Sequence, residues 1–291
     1  MSARDVALAV LVMFLWGINM PLAKLGMAEI PPILMIALRF ALTAALLVPF
    51  LPVPRGRLRE IAALAVTLGC LHFSLMFTGL AGIDAATAAI AIQVQVPFAS
   101  LIAWAVLGDR VGWRRAFGMA LAFGGVVILA GEPATLENWP ALVLVIVAAL
   151  VWSATNLQMK RLSDLNPLVM NGWMALFAVP LLLVSSFLLE EGQVAAIAGA
   201  GLAGWGAVAF MAVGTTIAGY GLWADLLSRN PVAQVVSFML LAPAFGMLGG
   251  WLILGEAMTP EKLIGGAVTL AGIAIIVIRR PKLAAAKTAG L

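Results

Sequence analysis

The chain has 291 residues, of which 64% are hydrophobic and 10% charged. Soluble domains carry roughly 25% charged residues, so this composition excludes an ordinary solvated surface, and with it soluble enzymes, nucleic-acid readers and secreted disulfide scaffolds. The net charge of +4 is basic, but in so apolar a chain its placement matters more than its sum, and with Cys70 as the only cysteine no intrachain disulfide is expected.

Charged and turn-forming clusters divide the apolar text into ten segments: 5–26, 32–51, 60–80, 85–107, 114–130, 139–160, 167–189, 201–224, 231–254 and 261–278. Each is long enough to cross a hydrocarbon core of ~30 Å at ~1.5 Å per residue. An open strand would leave backbone groups unpaired in lipid, so the expected fold class is an all-α integral membrane protein with ten transmembrane helices. The first segment lacks a small-residue cleavage site and is too long for a signal-peptide core, so it reads as retained. Fourteen lysines and arginines fall in segments on the side of the amino terminus, against Lys24 and Lys262 on the other, with Arg39 inside a span. By the positive-inside rule both termini are cytoplasmic, in a multi-pass inner (plasma) membrane protein.

The sequence resembles itself. Trp16 and Lys24 stand eight positions apart, as do Trp152 and Lys160, and Pro32 matches Pro167. Leu107-Gly108-Asp109 matches Leu254-Gly255-Glu256, Gly118 matches Gly265 and Gly125 matches Gly272, all at an offset of 147. The chain therefore reads as two five-helix repeats, 5–130 and 139–278, followed by a basic cytoplasmic tail, 279–291. An odd number of spans per repeat inverts the second in the membrane, the mark of secondary transporters with a site near the midplane. Ten spans, paired halves and the Pro…Leu-Gly-Asp/Glu…Gly…Gly ending of each half resemble the drug/metabolite transporter superfamily. Within it they resemble the paired EamA-domain exporters, and among those the ones that export aromatic amino acids. The resemblance implies a transporter of a small metabolite that works by alternating access between the halves.

Polar and aromatic residues at depth are the candidate substrate contacts. Trp16 and Trp152 lie too deep for headgroup anchors, so they line a cavity or pack between helices, whereas Trp104, Trp113, Trp139 and Trp223 read as interfacial. Asn19 stands one turn from Trp16, and Thr155 and Asn156 repeat that relation to Trp152; substrate binding and helix-to-helix hydrogen bonding both explain them. His72, mid-span, either donates to a substrate carboxylate or carries a proton, or is a neutral packing residue satisfied by a carbonyl. Arg39 either faces the pathway or snorkels to the headgroups, and its counterpart Met174 carries no charge. Gln93 and Pro97 share a face of the fourth span with Gln95 pointing elsewhere; Gln234, Ser237 and Pro243 sit at similar depths in the ninth. Thr215, Thr216 and Tyr220 add hydroxyls in the eighth. The glycines of the fifth and tenth spans predict close packing at the periphery.

A membrane-embedded enzyme would need a nucleophile with its base, paired carboxylates or a metal site, and the spans offer a single histidine. The small multidrug relatives rely on a glutamate in the middle of their first helix, where this chain has no acid after Asp5. Sugar-phosphate or nucleotide-sugar transport is the other relative, with one buried arginine to hold the phosphates. The expected partners are a small-molecule substrate and the lipid bilayer, with no cofactor, no metal and no nucleic acid, in a monomer or weak homodimer.

Overall fold

The computed structural model of the chain describes residues 1–108 and 112–277. The basic tail 279–291 and the loop residues Asp109 and Arg110 lie outside the described residues. Within them stand ten helices long and apolar enough to cross a membrane: α1 (Ala3–Gly26), α2 (Pro32–Phe50), α3 (Leu58–Gly82), α4 (Ala85–Val106), α5 (Trp113–Ala130), α6 (Trp139–Arg161), α7 (Pro167–Leu189), α8 (Leu202–Arg229), α9 (Gln234–Leu254) and α10 (Pro260–Val277). No strand occurs among the described residues. The protein is a multi-pass membrane protein.

Local chemistry sets the helix ends. The Ser2 hydroxyl accepts from the Asp5 amide at 3.1 Å and the Asp5 carboxylate accepts from the Ser2 amide at 3.4 Å, a capping box that starts α1. Prolines open α2, α7 and α10, where a missing N–H costs nothing. At the other ends Gly108 and Gly255, at φ +69° and +68°, close α4 and α9 in a left-handed turn that a side chain would disfavour.

Four helices change pitch on the way across. Ala65–His72 of α3 and Phe210–Gly219 of α8 widen into π turns, and Ile92–Val94 of α4 and Ser237–Leu240 of α9 tighten into 3₁₀ turns. Such departures rotate the side chains beyond them relative to a straight helix. Two short helices, Pro133–Glu137 and Gln193–Gly199, occupy stretches read from the sequence as loops.

The helices interleave. α1 packs along α8 and α9, α6 along α3 and α4, α2 against α7 and α5 against α10, so each of these pairings joins the first five helices to the last five. In lipid such contacts rest on close backbone approach more than on the hydrophobic effect. The α5–α10 seam shows it: a Cβ at Gly125 would stand 2.5 Å from the Gly265 carbonyl oxygen, and one at Gly272 2.5 Å from that of Gly118. Bulky residues such as Phe50, Phe187 and Leu252 are exposed on the outer faces.

Candidate functional site

The helices enclose a cavity of about 500 Å³ to which every span except α5 contributes. Of the ten residues named from the sequence, eight line it: Trp16, Asn19, Arg39, His72, Gln93, Trp152, Thr215 and Tyr220. Met159 near the end of α6, Pro167 at the start of α7 and Val277 at the end of α10 also line it, so it runs out to the end of the bundle that carries the amino terminus. None of the lining residues belongs to the connections at the opposite end, and none is Asp or Glu.

One wall is aromatic. The Trp16 ring lies 5.3 Å from both Tyr220 and Trp223, and its Nε1 donates to the Thr215 carbonyl inside the π turn of α8 at 3.2 Å. Gly219 makes room for it: a Cβ there would stand 2.6 Å from Trp16 Nε1. The Thr215 hydroxyl donates to Asn19 Oδ1 at 2.9 Å, so part of Asn19 is committed to holding α1 on α8.

The two basic side chains that line the cavity are Arg39 and His72. Arg39 is 3% exposed, and its Nε and Nη2 donate to Thr216 Oγ1 at 3.3 and 3.0 Å while the Thr216 hydroxyl donates to the Met211 carbonyl. The guanidinium lies 5.5 Å from the Phe40 ring centre and 5.1 Å from that of Phe73. No carboxylate lies within ion-pairing distance among the described residues. Burial among these rings overturns the snorkelling alternative. His72 closes the π turn of α3 with its Nδ1 at 2.8 Å from the Ala148 carbonyl, which can only accept, so Nδ1 carries the proton. Its ring rests 5.0 Å from Trp152 and 4.8 Å from Phe73. The carbonyl-satisfied arrangement is therefore present, and Nε2 is the nitrogen left for a ligand.

The structure corrects four expectations. Gln95 lines the cavity beside Gln93 and donates to it at 3.3 Å, because the 3₁₀ turn Ile92–Val94 swings it round. Trp223 is no headgroup anchor: α8 continues to Arg229, which places Trp223 more than a turn deeper than a helix ending at 224 would. Gln234 sits exposed in the first turn of α9 with its Oε1 3.4 Å from the amino terminus, away from the cavity. The tenth span is not wholly peripheral, since Ile273 and Val277 reach the cavity wall. Asn156 lines a side recess of about 460 Å³ with Arg115 and Ser100, which shares Gln95 and Trp152 with the main cavity. Asn171 of α7, missed from the sequence, lines the cavity with its Nδ2 donating to the Pro167 carbonyl. Among the described residues no cluster of His, Cys, Asp or Glu is arranged to hold a metal ion.

Comparison with known proteins accords with this architecture. The chain is 29% identical over 287 residues to a probable amino-acid metabolite efflux pump of Salmonella typhimurium, covering 94% of this chain and 95% of the relative. It is 28% identical to the Escherichia coli protein of the same description, over 94% and 95% of the two chains. A probable terminal-alkyne amino-acid exporter of Streptantibioticus cattleyicolor is 27% identical over 77% of this chain and 74% of its own. A solved crystal structure, 19% identical, shares the fold with a TM-score of 0.62 over 94% of this chain and 96% of that one. The EamA-like transporter family, within the drug/metabolite transporter superfamily, matches residues 4–131 and again 139–278, and this chain belongs to it.

Proposed function

We propose that the protein exports amino acids, aromatic ones included, from the cytoplasm across the inner membrane. The observation that carries this reading is Arg39: a buried guanidinium with no carboxylate partner among the described residues, on the wall of a cavity lined by Trp16, Trp152, Tyr220 and Trp223. A substrate carboxylate supplies the missing charge, and the rings supply a surface for an aromatic side chain. With its Nδ1 proton given to Ala148, His72 offers Nε2 as an acceptor for the substrate ammonium, in place of the donor role expected from the sequence. Asn19, Asn171, Thr215, Gln93 and Gln95 add to the polar lining, and Asn156 stands in the adjoining recess. The descriptions of the Salmonella, Escherichia and Streptantibioticus relatives agree with amino-acid export.

On this reading the halves 5–130 and 139–278 are inverted repeats that rock about the site, with both termini cytoplasmic. The matched π turns of α3 and α8, the matched 3₁₀ turns of α4 and α9 and the charge split of the loops support it. The cavity then opens to the cytoplasm in this structure. A cavity lining without Asp or Glu argues against a lipophilic-cation exporter, and it favours movement down the substrate's own gradient.

The test is uptake into liposomes containing the purified protein, with a panel of amino acids and with cationic amines as controls. Phenylalanine and tryptophan are expected to be carried, amines not, and an imposed pH gradient should drive no accumulation. Hydrogen bonds to a charged group contribute ~1.5–3 kcal/mol, so Arg39→Gln should lower phenylalanine transport by roughly 10- to 100-fold at equal expression. Equal rates in the variant and parent would remove the carboxylate assignment.

A further inference from the structure

The end of the bundle opposite the cavity mouth is tied by carboxylates, and three of them cap helices of the other half. Glu256, just past α9, accepts from the amides of Ala85 and Ala86 at 2.6 and 3.0 Å, capping the start of α4. Glu190, past α7, accepts from Ile33 and Leu34 at 2.7 and 3.0 Å at the start of α2. Glu29, past α1, accepts from Gly201 and Gly204 at 2.8 and 2.7 Å at the start of α8. Each carboxylate faces the positive end of a helix dipole and satisfies amides that have no partner within their own helix.

Beside the Glu256 cap lies a buried ionic knot. Lys262 of α10 is 1% exposed, and its Nζ is bonded to Asp84, to Glu132 at 3.0 Å and to the Ala257 carbonyl at 2.9 Å. Glu132 also accepts from the hydroxyls of Thr87, Thr135 and Thr259 at 3.4, 3.1 and 3.1 Å. Lys24 of α1 stands 3.5 Å from Glu256 and 3.7 Å from Asp84, and donates to the Ile83 carbonyl. The cations and acids are thus dealt out across the two halves, so parting the halves at this end leaves Lys262 without either of its carboxylates. Among the described residues the mouth end has no counterpart: the cross-half ion pairs there, Arg57–Asp164 and Arg229–Asp5, each involve at least one partly exposed side chain.

We propose that this network is the exit gate of the transporter, with Lys262 between Asp84 and Glu132 as its lock and the Glu256 cap on α4 as its latch. The proposal rests on the alternating-access reading. In the present state the network seals the cavity from the far side; for the cavity to open there, the knot must part and its charges must be taken up by the entering water. A buried ionic contact suits that task, since it is specific when dry and cheap to part once hydrated. This gives the Leu254-Gly255-Glu256 motif a role: the left-handed Gly255 turns the chain so that Glu256 reaches α4.

A thiol-accessibility experiment tests the gate independently of which solute is carried. The reporter is Met20→Cys on the cavity wall, in full-length protein with Cys70→Ala, reconstituted in one orientation and treated with a membrane-impermeant maleimide from either face. In the parent, labelling should be fast from the mouth side and slow from the far side. Lys262→Met and, separately, Glu132→Gln should speed far-side labelling at least fivefold and slow labelling at the mouth. If Lys262→Met does not fold, Glu132→Gln and Glu256→Gln are read in its place. Unchanged labelling from both faces, with or without a lowered thermal midpoint, would make the network a structural staple and overturn the proposal. Failure of the amino-acid assignment would appear in the uptake panel and leave these rates untouched.

Discussion

The first five helices and the last five share their irregularities but not their chemistry. α3 and α8 both widen, α4 and α9 both tighten, and Gly108 and Gly255 close equivalent ends with nearly the same dihedral. Yet the π turn of α3 ends on His72 and that of α8 on Gly219, and Arg39 of α2 corresponds to Met174 of α7. Where one half presents a ring and a guanidinium, the other presents a gap that the Trp16 indole fills. Backbone geometry that makes room for a cavity is thus kept in both halves, while Arg39 and His72, the two basic side chains that line it, both come from the first. A site with one cation suits one carboxylate; a symmetric pair would suit a dianion.

Three variants probe how the halves differ and how they are joined. The largest effect is expected from moving the charge across: Arg39→Met combined with Met174→Arg. Met174 is buried in the apolar core, so a guanidinium there would lack the setting that Thr216 and Phe73 give Arg39, and the double variant should transport no better than Arg39→Met alone, at least tenfold below the parent. Restored uptake would make the halves interchangeable. Gly219→Ala is expected to be milder. Its methyl would displace Trp16 from the Thr215 carbonyl, and overpacking of this size costs ~1–3 kcal/mol, so the thermal midpoint should fall and transport drop several-fold. An unchanged midpoint with normal transport would show that the gap is not needed for the indole.

The smallest effect is expected at Asp164, whose tie to Arg57 bridges the halves in the exposed loops. The hydrogen bond from Arg57 holds the Asp164 carboxyl below the ordinary carboxylate value of 3.8. A lowered value means the interaction is fully present above pH 3.8 and is lost as pH falls through the folded-state value. Asp164→Asn should therefore shift the thermal midpoint only slightly, by the same amount at pH 8 and pH 5, with the difference vanishing under strongly acidic conditions. A difference that grew between pH 8 and 5 would mean another group is linked to this pair.

Much of this was legible in the sequence, for reasons that also explain the failures. Ten spans follow from hydropathy, because lipid tolerates few charges for the length of a crossing. The end of α8 was misread because Asp225 and Arg229, a helical turn apart and ion-paired, look like loop residues when taken singly. That error carried Trp223 to a false interface. His72, Arg39 and Trp152 could be found because polar or amphipathic groups at mid-depth need a reason to be there. Gln95 and Gln234 could not be placed correctly, since a 3₁₀ turn and the exact start of α9 shift faces and depths without any signature in hydropathy. The capping role of the carboxylates at the far end leaves no mark in the sequence, because the amides they cap lie more than 150 residues away along the chain.

The glycine seam between α5 and α10 bears on how two copies of the protein could meet. Each glycine's missing side chain is filled by the other helix's backbone, reciprocally at Gly118 with Gly272 and at Gly125 with Gly265. In single-span proteins such small-residue stripes are what bring two chains together in the bilayer. Here that surface is consumed inside one molecule, and the outward faces of the same helices carry Phe117, Val127, Leu263 and Ile264. An association of copies along this edge would have to be built on bulky branched and aromatic side chains, for which lipid tails are an equally good neighbour.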